Sequence, residues 1–104
     1  MPNRLEVLEQ MVARGTNDPF PMYGLALEYR SLGRTDDALR AMGDLRARVP
    51  DYVPQYLMAA QILRASSRVE EAREWAEAGL VVASRSRDAH AAGELEAVLA
   101  ELSR

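Results

Sequence analysis

Residues Gly33-Arg34-Thr35-Asp36-Asp37-Ala38 return 34 positions later as Ser67-Arg68-Val69-Glu70-Glu71-Ala72. Self-similarity at a spacing of about 20–50 residues marks stacked supersecondary units, none of which can bury its apolar face alone. Such units contact only their neighbours and build an extended surface. The spacing therefore points to an interaction surface rather than a catalytic pocket.

The rest of the chain agrees with helical units. Alanine, the strongest helix former, occurs 17 times in 104 residues, and glycine and proline only 6 and 5 times. Few β-branched residues are present, which argues against a sheet. Six helices can be read. The first spans about Asn3–Arg14: Asn3 and Glu6 have capping-box spacing, Gly15 is a stop, and Leu5, Leu8, Met11 and Val12 make a buried stripe. The second opens at Asp18-Pro19, places Met22, Leu25, Ala26 and Tyr29 on one face, and ends at Gly33. The third starts near Thr35-Asp36-Asp37 with acids that suit the helix dipole, carries Ala38, Leu39, Met42 and Leu45, and stops before Pro50. The fourth starts at Val53-Pro54 and carries Tyr56, Leu57, Ala59, Ala60 and Leu63. Ser67 with Glu70 repeats the capping-box spacing at the start of the fifth, which carries Ala72, Trp75, Ala76, Ala78 and Leu80 through Ala83. Ser84–Arg87 reads as a polar break, and a last helix covers about Asp88–Leu102.

Inside the 34-residue unit, Met22, Leu25, Ala26 and Tyr29 are followed by Ala38, Met42 and Pro50. The second unit offers Tyr56, Ala59, Ala60 and Leu63, then Ala72 and Ala76, with Ser84 in place of the proline. Period and internal spacing together resemble the tetratricopeptide repeat (TPR) signature. Small residues at Ala26, Ala60, Ala38 and Ala72 let paired helices approach, and Met22, Tyr29, Tyr56 and Leu63 fill the space beside them. A generic helical bundle or another helical repeat would use similar residues. The resemblance implies an all-α solenoid of helical hairpins in a single domain, 1–104. Its expected parts are an N-terminal half-repeat helix over 3–15, repeats over 19–52 and 53–86, and a capping helix over 88–103.

The resemblance also implies where a partner protein or peptide would lie. In TPR proteins the first helix of each hairpin lines a concave groove. That offset selects Tyr23, Leu27 and Arg30 in the first unit, and Leu57, Met58, Gln61 and Arg64 in the second, flanked by Phe20, Gly24, Ser31, Pro54 and Ala65. The familiar TPR carboxylate clamp of lysine, asparagine and arginine is missing from these positions. An apolar floor remains, with Arg30 and Arg64 expected on one ladder about 10 Å apart, set to pair with acidic groups. Methionine, aromatic and arginine side chains favour interface centres. The bland alternative makes the leucines ordinary core and the arginines solvated.

Other charged residues read as structural. Arg34 and Arg68 each have an acid three residues on, Asp37 and Glu71, which suits local pairing. Trp75 is expected against the last helix, with an exposed interface role as the alternative.

Composition excludes several function classes. There is no cysteine, so no disulfide, thiolate nucleophile or cysteine metal site, which fits a reducing cytoplasm. All 13 basic residues are arginine, which removes lysine chemistry and suggests a GC-rich bacterial genome. Net charge is -3, unfavourable for nucleic-acid binding. No signal-peptide core precedes the first helix, and no apolar run is long enough for a membrane span. A lone histidine, His90, cannot make a metal site, and Asp36-Asp37 and Glu70-Glu71 point about 100° apart on a helix rather than forming an acid/base pair. Phosphate loops and nucleophile elbows are also missing. The expectation is a non-enzymatic adaptor or scaffold without cofactor or metal, the alternative being a module that forms a homo-oligomer through Trp75 or an end face.

Overall fold

A computed structural model describes residues 3–104, and six α-helices with no strand make up that part of the chain. They are α1 (Arg4–Ala13), α2 (Pro19–Ser31), α3 (Thr35–Arg48), α4 (Pro54–Ala65), α5 (Val69–Arg85) and α6 (Ala89–Leu102). The helices fall into two compact units, the first ending at Pro50 and the second running Asp51–Arg104.

In the first unit α2 packs on both α1 and α3. The Asn3 side chain accepts from the Glu6 N–H at 2.9 Å and caps α1. Asp18 does the same for α2 through the Phe20 N–H at 3.0 Å, with Pro19 in the first turn. Met22, Leu25 and Ala26 of α2 and Ala38, Met42 and Leu45 of α3 are buried, so each helix buries an alanine among larger side chains. Polar contacts tie α1 to α2. The Tyr29 hydroxyl donates to Glu9 Oε2 at 2.6 Å, and Arg4 pairs with Glu28 at 3.1 Å. The expected α1 stripe holds for Leu5, Leu8 and Val12, which are half-buried, but Met11 is 42% exposed. No α1 side chain is fully buried, and α1 packs chiefly on α2.

In the second unit α5 packs on α4 and α6, and α6 also touches α4. Its core is Tyr56, Ala60, Ala76, Ala83, Leu95 and Val98. Trp75 packs against this cluster, its ring tilted 51° to Tyr56 with centroids 5.7 Å apart. At Gly79 an added Cβ would stand 2.5 Å from Tyr56 Cβ and 3.0 Å from Leu95 Cδ1, so three helices converge there.

One turn geometry closes three helices. After α2 the Gly33 N–H reaches the Arg30 carbonyl at 3.0 Å and the Arg34 N–H reaches the Tyr29 carbonyl at 2.9 Å. This is the Schellman pairing, which needs a left-handed residue in the middle. Ser67 and Arg68 repeat it after α4, and Arg87 and Asp88 after α5. The left-handed residue is Gly33 (φ 75°), Ser67 (φ 61°) and Arg87 (φ 57°) in turn. The expected cap at Ser67 is thereby corrected. Ser67 ends α4, and α5 starts from Arg68 without a side-chain cap. The expected break at Ser84 is corrected too, since α5 continues through Ser84 and Arg85.

Candidate partner-binding faces

Each unit carries one set of the residues selected from the repeat register. On α2, Tyr23, Leu27 and Arg30 follow one another at spacings of four and three and share a face. Phe20 extends that face by another step and is 80% exposed, an unusual position for a large apolar ring. Tyr23 and Leu27 are half-buried and Arg30 is exposed. The opposite side of the helix holds buried Met22, Leu25 and Ala26, so α2 separates a core stripe from a second apolar stripe that is partly open.

On α4, Leu57, Met58, Gln61 and Arg64 also share a face. Leu57, Met58 and Gln61 are half-buried, and Leu57 packs against the core of its own unit. Arg64 forms an ion pair with Glu101 of α6. The guanidinium expected to meet a foreign carboxylate therefore already meets one from the last helix. That pairing was not legible in the sequence, because it depends on how far the turn before α6 shifts the helix register.

The repeated turn arginines pair locally. Arg34 Nε donates to Asp37 Oδ2 at 2.8 Å, and Arg40 Nη1 reaches the other carboxylate oxygen at 2.8 Å. Arg68 grips Glu71 with two bonds of 2.9 and 2.7 Å. The hydrogen bond from Arg34 holds the Asp37 carboxyl below its ordinary pKa, and that from Arg68 does the same for Glu71. Arg34 also lies over the Tyr29 ring, 4.7 Å from its centroid. The bond to Glu9 raises the Tyr29 pKa above its ordinary value, since the phenolate could not donate it. His90 is 88% exposed and contacts Glu94 at 2.9 Å. Among the described residues no three histidine, aspartate or glutamate side chains are grouped to hold a metal ion. Among the described residues no helix is long and apolar enough to cross a membrane.

Comparison with known proteins yields structural likeness. No protein-family model matches the chain, and no curated protein matches it. Solved structures do. The crystal structure of a tetratricopeptide repeat domain protein from Salinibacter ruber superposes with a TM-score of 0.76 at 26% identity, over 83% of this chain and 96% of that one. A solution structure of a tetratricopeptide repeat domain protein from the same organism gives 0.78 at 26% identity, over 82% and 86%. A solution structure of a Bordetella parapertussis protein gives 0.82 at 27% identity, over 100% and 90%. Repeat length, paired helices with buried alanines, and the likeness to these structures agree: the chain has the fold of a small tetratricopeptide repeat protein.

Proposed function

We propose that the protein is a non-enzymatic interaction module, an adaptor that takes a peptide or helix of a partner protein on the outward faces of its first-in-hairpin helices. The observation that carries this is the open apolar stripe of α2. Phe20 stands 80% exposed beside half-buried Tyr23 and Leu27, with Arg30 at the end. Solvent-facing rings beside arginine suit the centre of a protein interface. In the second unit Leu57, Met58 and Gln61 are the contact residues, and Arg64, held by Glu101, exchanges that carboxylate for one from the partner. The fold supports interaction rather than catalysis, because it packs helices in pairs with buried alanines.

The same reading places the module in a bacterial cytoplasm. The absence of cysteine and the arginine-only basic set support it, as do the bacterial sources of the solved structures. It assigns no cofactor, metal, nucleic acid or membrane to the protein. Affinity capture from the native lysate tests the proposal, comparing wild type with a Tyr23→Ala, Leu57→Ala, Arg64→Ala variant. A protein retained by wild type and lost by the variant supports it. Equal retention by both contradicts it.

A further inference from the structure

Two surfaces remain that the partner-binding proposal does not use, one in each unit. The first is an open groove of about 490 Å³ along α5 and α6 in the second unit. Its accessible apolar floor is Leu80 of α5 with Ala89 and Ala92 of α6, over buried Ala83. Arg87 stands at its turn end and Glu96 two helical turns along α6. The second surface is a stripe on α1. Val7 and Met11 are 41% and 42% exposed, one turn apart on a face separate from the one that packs on α2. Glu6 and Arg14 bracket them.

The charges on the two surfaces run in opposite order. Along α1 the order is acid, apolar pair, base: Glu6, then Val7 and Met11, then Arg14. Along the groove Arg87 comes first, beside Asp88 whose carboxylate is taken up by the Ala91 N–H, then Ala89 and Ala92, then Glu96. Glu6 and Arg14 lie eight positions apart in the chain, and Arg87 and Glu96 nine, so the two charged spans are similar in length. Among the described residues none of these four ionic side chains makes an ion pair within the chain. The Asp88 side chain accepts from the Ala91 N–H at 3.0 Å and serves as the α6 cap.

We propose that the α5–α6 groove of one copy receives α1 of a second copy, the two helices α1 and α6 running parallel. Val7 and Met11 cover Leu80, Ala89 and Ala92. Glu6 meets Arg87, and Arg14 meets Glu96. Donor and acceptor surfaces differ, so the contact is head-to-tail, and each bound copy leaves a free groove or a free α1 stripe for the next. This assembly is independent of the faces of α2 and α4 assigned to a foreign partner.

The test is sedimentation equilibrium of the full chain over a wide concentration range at low salt, with circular dichroism to check that each variant remains helical. Wild type is expected to rise above monomer mass with concentration, without stopping at a dimer. Arg14→Glu and Glu96→Arg, both at exposed positions, each lower the association constant by about tenfold, because attraction is exchanged for repulsion. Arg14→Glu and Glu96→Arg combined in one chain restore association, since the reversed charges match again. Wild type that stays monomeric at millimolar concentration overturns the proposal. So does association that neither reversal weakens, or that the combined variant fails to recover.

Discussion

Tyr56 of α4 and Gly79 of α5 come so close that a methyl group on the glycine would stand 2.5 Å from the tyrosine Cβ. Real Cβ atoms do not tolerate that distance, and Leu95 closes the other side at 3.0 Å. Glycine at this position lets α4, α5 and α6 meet without a side chain between them.

That closeness sets the sign of a substitution. Gly79→Ala gains about 1 kcal/mol of helix propensity but overpacks three helices, and overpacking costs about 1–3 kcal/mol. The expected outcome is a less stable protein. Gly24→Ala is the contrast: its new methyl meets only the Leu8 methyls, at 3.6 and 3.9 Å, both ordinary contacts. It should stabilise by about 0.5–1 kcal/mol. Urea unfolding followed by circular dichroism checks both.

The left-handed turn residues give a second prediction. Ser67 and Arg87 hold the conformation that Gly33 holds, at a cost to a residue bearing a Cβ of about 1–2 kcal/mol. Part of any gain from glycine is lost to the greater freedom of the unfolded chain. Ser67→Gly and Arg87→Gly should each raise stability by about 0.5–1 kcal/mol, and Gly33→Ala should lower it by about 1 kcal/mol. Thermal denaturation of the three variants provides the readout.

Stability should depend on pH through pairs that the turns and α1 create. Folding lowers the pKa of Asp37 beside Arg34 and of Glu71 beside Arg68. The unfolded chain then binds these protons first as pH falls. Their contribution is present above the ordinary carboxylate range and is lost as pH falls through the lowered values. An Asp37→Asn, Glu71→Gln variant should have a shallower acid limb in a plot of urea midpoint against pH.

Tyr29 acts at the alkaline end. Its pKa is raised in the folded chain, chiefly by the bond to Glu9. Its contribution is complete below the ordinary tyrosine value and disappears as pH rises through the raised one. Tyr29→Phe should cost about 1 kcal/mol at neutral pH, from the lost hydrogen bond, and should flatten the alkaline limb. Fluorescence-detected urea unfolding from neutral pH upward measures both effects.

Local signals made most of the fold legible in the sequence. Asn3, Asp18-Pro19 and the glycines at 15 and 33 act on their own neighbours, and they mark helix ends where the structure has them. The same logic failed at Ser67. Serine is a good cap and a poor left-handed residue, yet Ser67 is aligned by the repeat with Gly33 and takes the glycine's conformation. At Ser84 the helix continued because Ala83 beneath it is buried, and tertiary packing outweighed the weak propensity of serine. Ile62 is 6% exposed although it lies outside the repeat pattern. Contacts between distant residues were out of reach altogether. Tyr29 with Glu9 and Arg64 with Glu101 are joined by packing, and no spacing rule connects residues 20 or 37 apart in the chain. The repeat offset selected the candidate faces, but Arg64's commitment to Glu101 came only from the arrangement of α4 and α6.

The most direct test of the interaction-module account is an isothermal titration of the captured partner into three forms of the protein. These are wild type, Tyr23→Ala with Leu27→Ala on α2, and Gly43→Ala on α3, where an added Cβ meets nothing within 4 Å. The account predicts at least about tenfold weaker binding for the α2 variant, as expected when interface anchors are truncated, and no change for Gly43→Ala. Unchanged binding by the α2 variant, with its helicity intact, would contradict it.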